Sequence, residues 1–312
     1  MNSRELFLGV DGGQSSTKAL IGDASGRVLG RGTAGPCNHV SGDAARDKFL
    51  RTIGECMSSA RADAGLGTDA RFRAACFGMS GGPEDKVALL KQVVDAEQWL
   101  VTHDGMIALS GALSGADGIV AIAGTGSIVF GRNGSRTMRA GGWGYVFGDE
   151  GGAFWIVRQA LRAALRYEEG WGEKTALHQM LLESTGVSSA NEALHLFYTS
   201  DWHRSRVARL AAEVELAAQS GDGVAATILR QAGDSLAELV STVRAKLWAP
   251  DQEVTASFIG GVFRSAAVLS RFSEALRTSW NVDVQPPVWG GEAGALIEAY
   301  RLADLHPNLR EV

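Results

Sequence analysis

Glycine is clustered in this sequence, and the clusters fall at the ends of apolar segments. Forty of the 312 residues are glycine, well above an average usage of about 7%. Pairs or runs stand at Gly12–Gly13, Gly81–Gly82, Gly124 and Gly126, Gly141–Gly142 with Gly144, Gly151–Gly152, Gly260–Gly261 and Gly290–Gly291. Such positions suit a backbone that must adopt unusual dihedrals, or one that a ligand must approach closely.

The segments between the clusters read as an α/β chain in two halves. Three short strands over 5–10, 17–22 and 27–33 open the first half, followed by a helix over 43–64, a strand over 72–77, a helix over 84–94, a strand over 98–101 and a helix over 105–113. The pattern then restarts: 118–123 is an apolar strand ending in Gly124-Thr125-Gly126-Ser127, followed by strands over 128–132 and 137–140. Residues 154–249 are mainly helical and stop at Pro250, and strands near 255–260 and 282–284 alternate with helices over 265–276 and 292–302. Two openings of the same kind predict two halves of related architecture, with a boundary near residue 117.

At this length two domains are the natural expectation. The formal net charge of −5 and the lack of a basic run exclude the electrostatic footprint of a nucleic-acid or anionic-membrane binder. The three cysteines, Cys37, Cys56 and Cys76, form no C-x-x-C pair, so neither a disulfide framework nor a zinc or iron–sulfur site is suggested, and a reducing, cytoplasmic setting fits. The opening MNSRELFLGVDGG has no hydrophobic signal region, and no segment reaches the roughly 20 apolar residues needed to cross a bilayer.

Neither G-x-x-x-x-G-K-[ST] nor a G-x-G-x-x-G after a strand is present, which argues against P-loop and Rossmann enzymes. Instead Asp11 closes a buried strand and is followed by Gly12, Gly13 and the hydroxyls of Ser15, Ser16 and Thr17. A carboxylate there can hold Mg²⁺ through water while amides and hydroxyls face phosphate oxygens. Alone, Asp-Gly-Gly is more often a simple hairpin turn. The second half repeats the device in Gly124-Thr125-Gly126-Ser127, so two such turns can grip a polyphosphate.

The sequence resembles the N-acetylglucosamine kinases, grouped with the BadF/BadG/BcrA/BcrD ATPases inside the actin, Hsp70 and sugar-kinase superfamily. The resemblance spans the chain and rests on Asp11-Gly-Gly13, Ser80-Gly-Gly82, Thr102-His-Asp104, Gly124-Thr-Gly-Ser127, Gly142-Trp-Gly-Tyr-Val-Phe-Gly-Asp-Glu-Gly151 and Gly260-Gly-Val-Phe263. It implies two RNase-H-like, actin-like ATPase domains with ATP and sugar in the cleft between them. Residues 1–117 are then the N-terminal domain, carrying the metal side, the sugar side and the catalytic Asp. Residues 118–312 are the C-terminal, nucleotide-side domain with a helical insert, its last helix free to pack on the first domain.

By the same resemblance Asp104 takes the proton of the sugar 6-hydroxyl, a role its position alone does not separate from that of a helix N-cap. Asp11 sits near Mg²⁺ and the γ-phosphate, and Thr125, Gly126 and Ser127 contact phosphates. Gly260, Gly261 and Phe263 belong to the adenosine motif. The sugar pocket draws on Asn38, His39, Asp104, Gly142, Trp143, Gly144 and Asp149, and Glu150 reads equally as a first-turn helix carboxylate. Two departures stand out: Ser15 replaces a usual Thr, and the chain is short for the animal enzymes, which points to a trimmed insert after Gly151.

The activity implied is ATP-dependent phosphorylation of an amino sugar, N-acetylglucosamine first, by a cytoplasmic homodimer. Glucosamine or N-acetylmuramate is the alternative acceptor. An ATPase activator of a radical dehydratase needs paired interface cysteines that the three here do not supply, and a ROK-type kinase needs a Cys-rich zinc motif that is absent. A non-catalytic or chaperone-like ATPase of the same fold would not need Asp104 together with Trp143 and Asp149.

Overall fold

The computed structural model describes residues 5–37, 42–81 and 85–310. The chain divides into two compact units, Met1–Asp117 with Pro286–Val312, and Gly118–Gln285. The C-terminal segment therefore groups with the first unit, not with the strands that precede it in sequence.

In the first unit β1 (Leu6–Gly12), β2 (Thr17–Asp23) and β3 (Val28–Ala34) form an antiparallel meander. After it come α1 (Asp43–Asp63), β4 (Phe72–Met79), α2 (Val87–Leu90), β5 (Ala96–His103) and α3 (Asp104–Ala112). The sheet order is β3-β2-β1-β4-β5, with the β1–β4 and β4–β5 pairs parallel.

The second unit repeats this topology. Here β6 (Gly118–Ala123), β7 (Ser127–Asn133) and β8 (Arg136–Gly141) form the meander. The helices α4 (Ala153–Glu168), α5 (Leu177–Thr185), α6 (Ala190–Leu196), α7 (Arg204–Ala208), α8 (Ala211–Gln219) and α9 (Gly223–Leu247) follow. The unit is completed by β9 (Val254–Ile259), α10 (Ala266–Trp280) and β10 (Val282–Gln285), in the sheet order β10-β9-β6-β7-β8. In both sheets the first strand is central, its hairpin partners lie on one side and two parallel strands lie on the other. The last helix, α11 (Gly291–Leu302), belongs to the first unit.

The central strand β1 is buried on both faces, as a strand between two helical layers must be. Leu6, Leu8 and Val10 pack with Phe49, Ile53 and Met57 of α1, whereas Phe7 packs with Leu296 and Tyr300 of α11. Each such side chain contributes roughly 1.5–3 kcal/mol on burial. Between these faces Gly9 is a contact point: a Cβ there would stand 2.1 Å from the Leu296 amide nitrogen. The strand can meet α11 backbone to backbone only because that carbon is missing.

The helix expected over 84–94 is reduced to Val87–Leu90, with Glu84 outside the described residues. The chain must become extended by Ala96 to pair with β4, and Phe72 N–H already donates to the Asp95 carbonyl at 3.0 Å. The same pairing lengthens the expected strand at 98–101 to Ala96–His103. In the second unit α9 starts at a side-chain cap, Asp222 accepting from Ala225 N–H at 2.8 Å, and ends before an extended Trp248 ahead of Pro250.

Candidate active site

Two carboxylates meet at the carboxyl end of the first sheet. Asp11 lies one residue from the end of β1 and Asp104 begins α3 directly after β5, the edge where open α/β sheets bind ligands. Asp11 is mostly buried, and its carboxyl is pushed up to about 6, by burial first and then by the charges of Glu292 and Asp104, against a smaller opposing pull from Lys18. Lys18 is itself paired with Glu292 at 3.5 Å. The start of α11 closes over this group: a Cβ on Gly291 would lie 2.6 Å from Asp11 Oδ2.

Asp104 is not a helix N-cap. His103 holds that position with extended dihedrals, and Asp104 is the first helical residue, its Oδ1 accepting from Gly105 N–H at 2.9 Å. The carboxylate lies in the first turn of the helix and stays partly exposed, where a substrate hydroxyl can reach it.

The turn after β1 divides its expected ligands. Gly13 N–H closes it on the Ser16 carbonyl at 3.0 Å, and Ser15 is exposed on it. Gly12 is buried, with Ser80 N–H donating to its carbonyl at 3.0 Å. Thr17 must be corrected: it is fully buried, and its hydroxyl lies 2.8 Å from the Gly35 carbonyl and 3.0 Å from Cys37 Sγ. That hydroxyl joins strands and cannot face a phosphate. Asn38, His39 and Gly82 fall outside the described residues.

In the second unit the Gly124–Ser127 turn is tied to its surroundings on every side. Gly124 N–H donates to the Gly126 carbonyl at 2.9 Å, while the first amides of α4, Ala153 and Phe154, donate to the carbonyls of Gly124 and Thr125 at 2.9 and 3.1 Å. Ser127 is buried and its hydroxyl donates to the Glu150 carbonyl at 2.6 Å. Its side chain thus anchors the following loop, a second correction to the expectation that it contacts phosphate. Thr125 sits half-buried at the tip.

The loop from Gly142 to Gly151 returns to that turn. Gly142 N–H donates to the Ser127 carbonyl at 3.0 Å, and Gly142 and Gly144 have φ of 73° and 79°, which explains glycine at both. Trp143 stands 67% exposed, with the Arg139 guanidinium 5.9 Å from its ring. Asp149 is the reverse: 5% exposed, at a φ of 62°, a left-handed conformation uncommon outside glycine. Its Oδ2 occupies the space a Cβ on Gly126 would fill, at 2.3 Å, and pairs with Arg204 Nη1 at 3.4 Å. Asp149 therefore lies against the phosphate-type turn. Glu150 precedes α4, whose first turn carries no acidic residue.

The glycine pair after β9 also divides. Gly260 has a φ of 116° and a Cβ there would lie 2.2 Å from the Ala123 carbonyl, so it serves the approach to β6. Gly261 lines a cavity of about 390 Å³ together with Gly124, Glu215 and Ser265. Phe263 is corrected from a ligand contact to a core residue, buried with ring centroids 5.2 Å from both Phe258 and Phe272.

Sequence reasoning missed Lys18, Glu292, Arg204 and Glu215. The only available signal was the lysine seven residues past Asp11, because the other three reach these places through contacts distant in the chain.

The chain belongs to the BadF/BadG/BcrA/BcrD ATPase family, whose sequence profile matches residues 8–299. It is 31% identical over 268 residues to an N-acetylmuramic acid/N-acetylglucosamine kinase of Clostridium acetobutylicum, covering 84% of this chain and 86% of that protein. It is 28% identical over 296 residues to an N-acetyl-D-glucosamine kinase of Dictyostelium discoideum, covering 86% and 88%. A Chromobacterium violaceum crystal structure provisionally assigned as an N-acetylglucosamine kinase superposes with a TM-score of 0.72 at 25% identity, covering 94% of this chain and 98% of that one. The two units are RNase-H-like domains of the actin-like ATPase type.

Proposed function

We propose that this protein is an ATP-dependent kinase that phosphorylates the 6-hydroxyl of an amino sugar, with N-acetylglucosamine as the first candidate acceptor. The observation that carries the reading is the pair Asp11 and Asp104, one mostly buried carboxylate and one more open carboxylate of the same unit, close enough for the charge of one to raise the pKa of the other. That division suits a cation site beside a general base. The names of the relatives support the amino-sugar acceptor.

In this reading Asp104 accepts the proton of the sugar hydroxyl as its oxygen attacks the γ-phosphorus and ADP departs. Such transfers rest on positioning and on charge neutralisation more than on covalent help from the protein. The Thr125 and Gly126 amides and the Thr125 hydroxyl hold phosphate oxygens, Asp149 and the Trp143 loop position the sugar, and Ser15 and Gly13 face the terminal phosphate.

Asp11 fits Mg²⁺, an ion usually held by one or two carboxylates while water and substrate phosphates complete its shell. The negative field of Glu292 and Asp104 that lifts its pKa is the field a cation would relieve. When bound, Mg²⁺ would neutralise charge on the phosphate oxygens.

A proton and Mg²⁺ then compete for Asp11. With its pKa raised from 3.8 to about 6, the carboxyl is ionised at pH 7.5 and becomes protonated as pH falls through 6. The free Mg²⁺ giving half-maximal rate is expected to be flat above about pH 6.5 and to rise roughly tenfold per unit below pH 6. A Mg²⁺ requirement that is constant down to pH 5 would reject the assignment.

The general test is ADP release with N-acetylglucosamine, glucosamine, N-acetylmuramate or no sugar. We expect turnover only with sugar, and N-acetylglucosamine as the best acceptor. Sugar-independent turnover would favour an ATPase activator instead. Against that activator stands the placement of Cys37, Cys56 and Cys76, all buried inside the first unit where no cluster can be shared with a partner. A cytoplasmic homodimer completes the proposal. Among the described residues no helix is long and apolar enough to cross a membrane.

A further inference from the structure

We infer that Glu215, on α8, reads the ribose of the bound nucleotide and makes the protein select ribonucleotides over 2′-deoxyribonucleotides. The inference rests on the ATP-using part of the proposed function and not on the sugar. Its basis is the cavity of about 390 Å³ inside the second unit, which has the Gly124 end of the phosphate-type turn in its wall and is lined largely by small and apolar residues such as Ala153, Ile156 and Leu229. A nucleoside whose phosphates lie on the Gly124–Gly126 turn would place its sugar first in this space.

Glu215 is a carboxylate in that wall, which also carries Arg209 and Arg264, and a carboxylate there costs free energy unless it is hydrogen-bonded. It is held from two directions. The Ser265 hydroxyl donates to its Oε2 and in turn accepts from Val268 N–H at 3.2 Å, capping α10. Gln219 Nε2 donates to Oε1 at 3.1 Å. An ionised carboxylate offers about four acceptor sites, so these two bonds orient the group and leave acceptor capacity for a ligand.

An acceptor-only group needs donors. Ribose supplies two adjacent hydroxyls, whereas the edge of adenine sets its one amino group beside ring nitrogens that a carboxylate would repel. Guanine offers two neighbouring N–H groups, also a two-pronged match, but the base lies beyond the ribose from phosphates held at the Gly124 end of the cavity. The ribose is the better partner.

The test is equilibrium binding of ATP, 2′-deoxy-ATP and GTP to the whole protein with Mg²⁺ and without sugar, for wild type, Glu215→Ala and Glu215→Gln. Wild type is expected to bind ATP about tenfold or more tighter than 2′-deoxy-ATP, the usual scale for removing one partner of a charged hydrogen bond. Glu215→Ala should bring that ratio near one. If the alanine variant does not fold, Glu215→Gln decides, since loss of charge should lower the ratio about threefold. Equal wild-type affinity for the two adenine nucleotides, an unchanged ratio in the variants, or a preference for GTP without any 2′-hydroxyl effect would overturn the inference. Robust sugar phosphorylation with no 2′-hydroxyl selection would sink this inference alone. Selection without any sugar turnover would sink the kinase reading alone.

Discussion

Asp104→Asn should lower kcat by about 10² or more while nucleotide affinity stays within about twofold of wild type. The substitution keeps shape and keeps an Oδ1 that can accept from Gly105 N–H, as the aspartate does at 2.9 Å, so α3 should start as before. What it removes is the capacity to take a proton, which is worth roughly 10²–10⁴ in rate for a positioned base. It also removes a negative charge that raises the Asp11 pKa. The acid limb of the Mg²⁺ dependence should therefore move to lower pH in the variant, which a helix-terminal role with no link to Asp11 would not produce. Steady-state kinetics, nucleotide titration and the Mg²⁺ dependence at several pH values provide the check, and an unchanged kcat would remove Asp104 from the mechanism.

The architecture was legible in the sequence wherever it depends on local rules. Apolar alternation and glycine-bounded turns located both meanders, and the restart at Gly118 located the second half. Side-chain use was less legible, because a hydroxyl's partner depends on what the fold brings to it. Ser15, Thr17 and Ser127 look alike in sequence, yet only Ser15 is exposed, while Thr17 is directed at the Gly35 carbonyl and Ser127 at the Glu150 carbonyl. Long-range charge pairs were hidden for the same reason: Asp149 meets Arg204 across 55 residues of sequence. Gly260 and Gly261 show the limit within a single motif. One permits strand packing and the other lines a cavity, a division that two adjacent identical residues cannot announce.

Glycine to alanine changes should have opposite signs at two helical positions, because propensity and packing compete. At Gly54 in α1 an added Cβ meets nothing within 4 Å, so Gly54→Ala should gain up to about 1 kcal/mol from helix propensity. Gly294 in α11 is different: a Cβ there would lie 1.8 Å from the Ile107 carbonyl oxygen and 2.4 Å from the Gly111 amide nitrogen. These are backbone atoms of α3 that no rotamer change can move, and on the other side α11 is held by Gly9 and Leu296 against β1. The helices must separate. Overpacking of this kind costs about 1–3 kcal/mol or more, which exceeds the propensity gain, and we expect Gly294→Ala to lower Tm by several degrees. Because α3 begins at Asp104 and α11 begins at Gly291 against Asp11, the shift should also raise the Mg²⁺ requirement and lower kcat, two effects absent in Gly54→Ala. Thermal melts and kinetics of both variants test this directly, and equal stability changes of the same sign would show that α3 and α11 do not need their close approach.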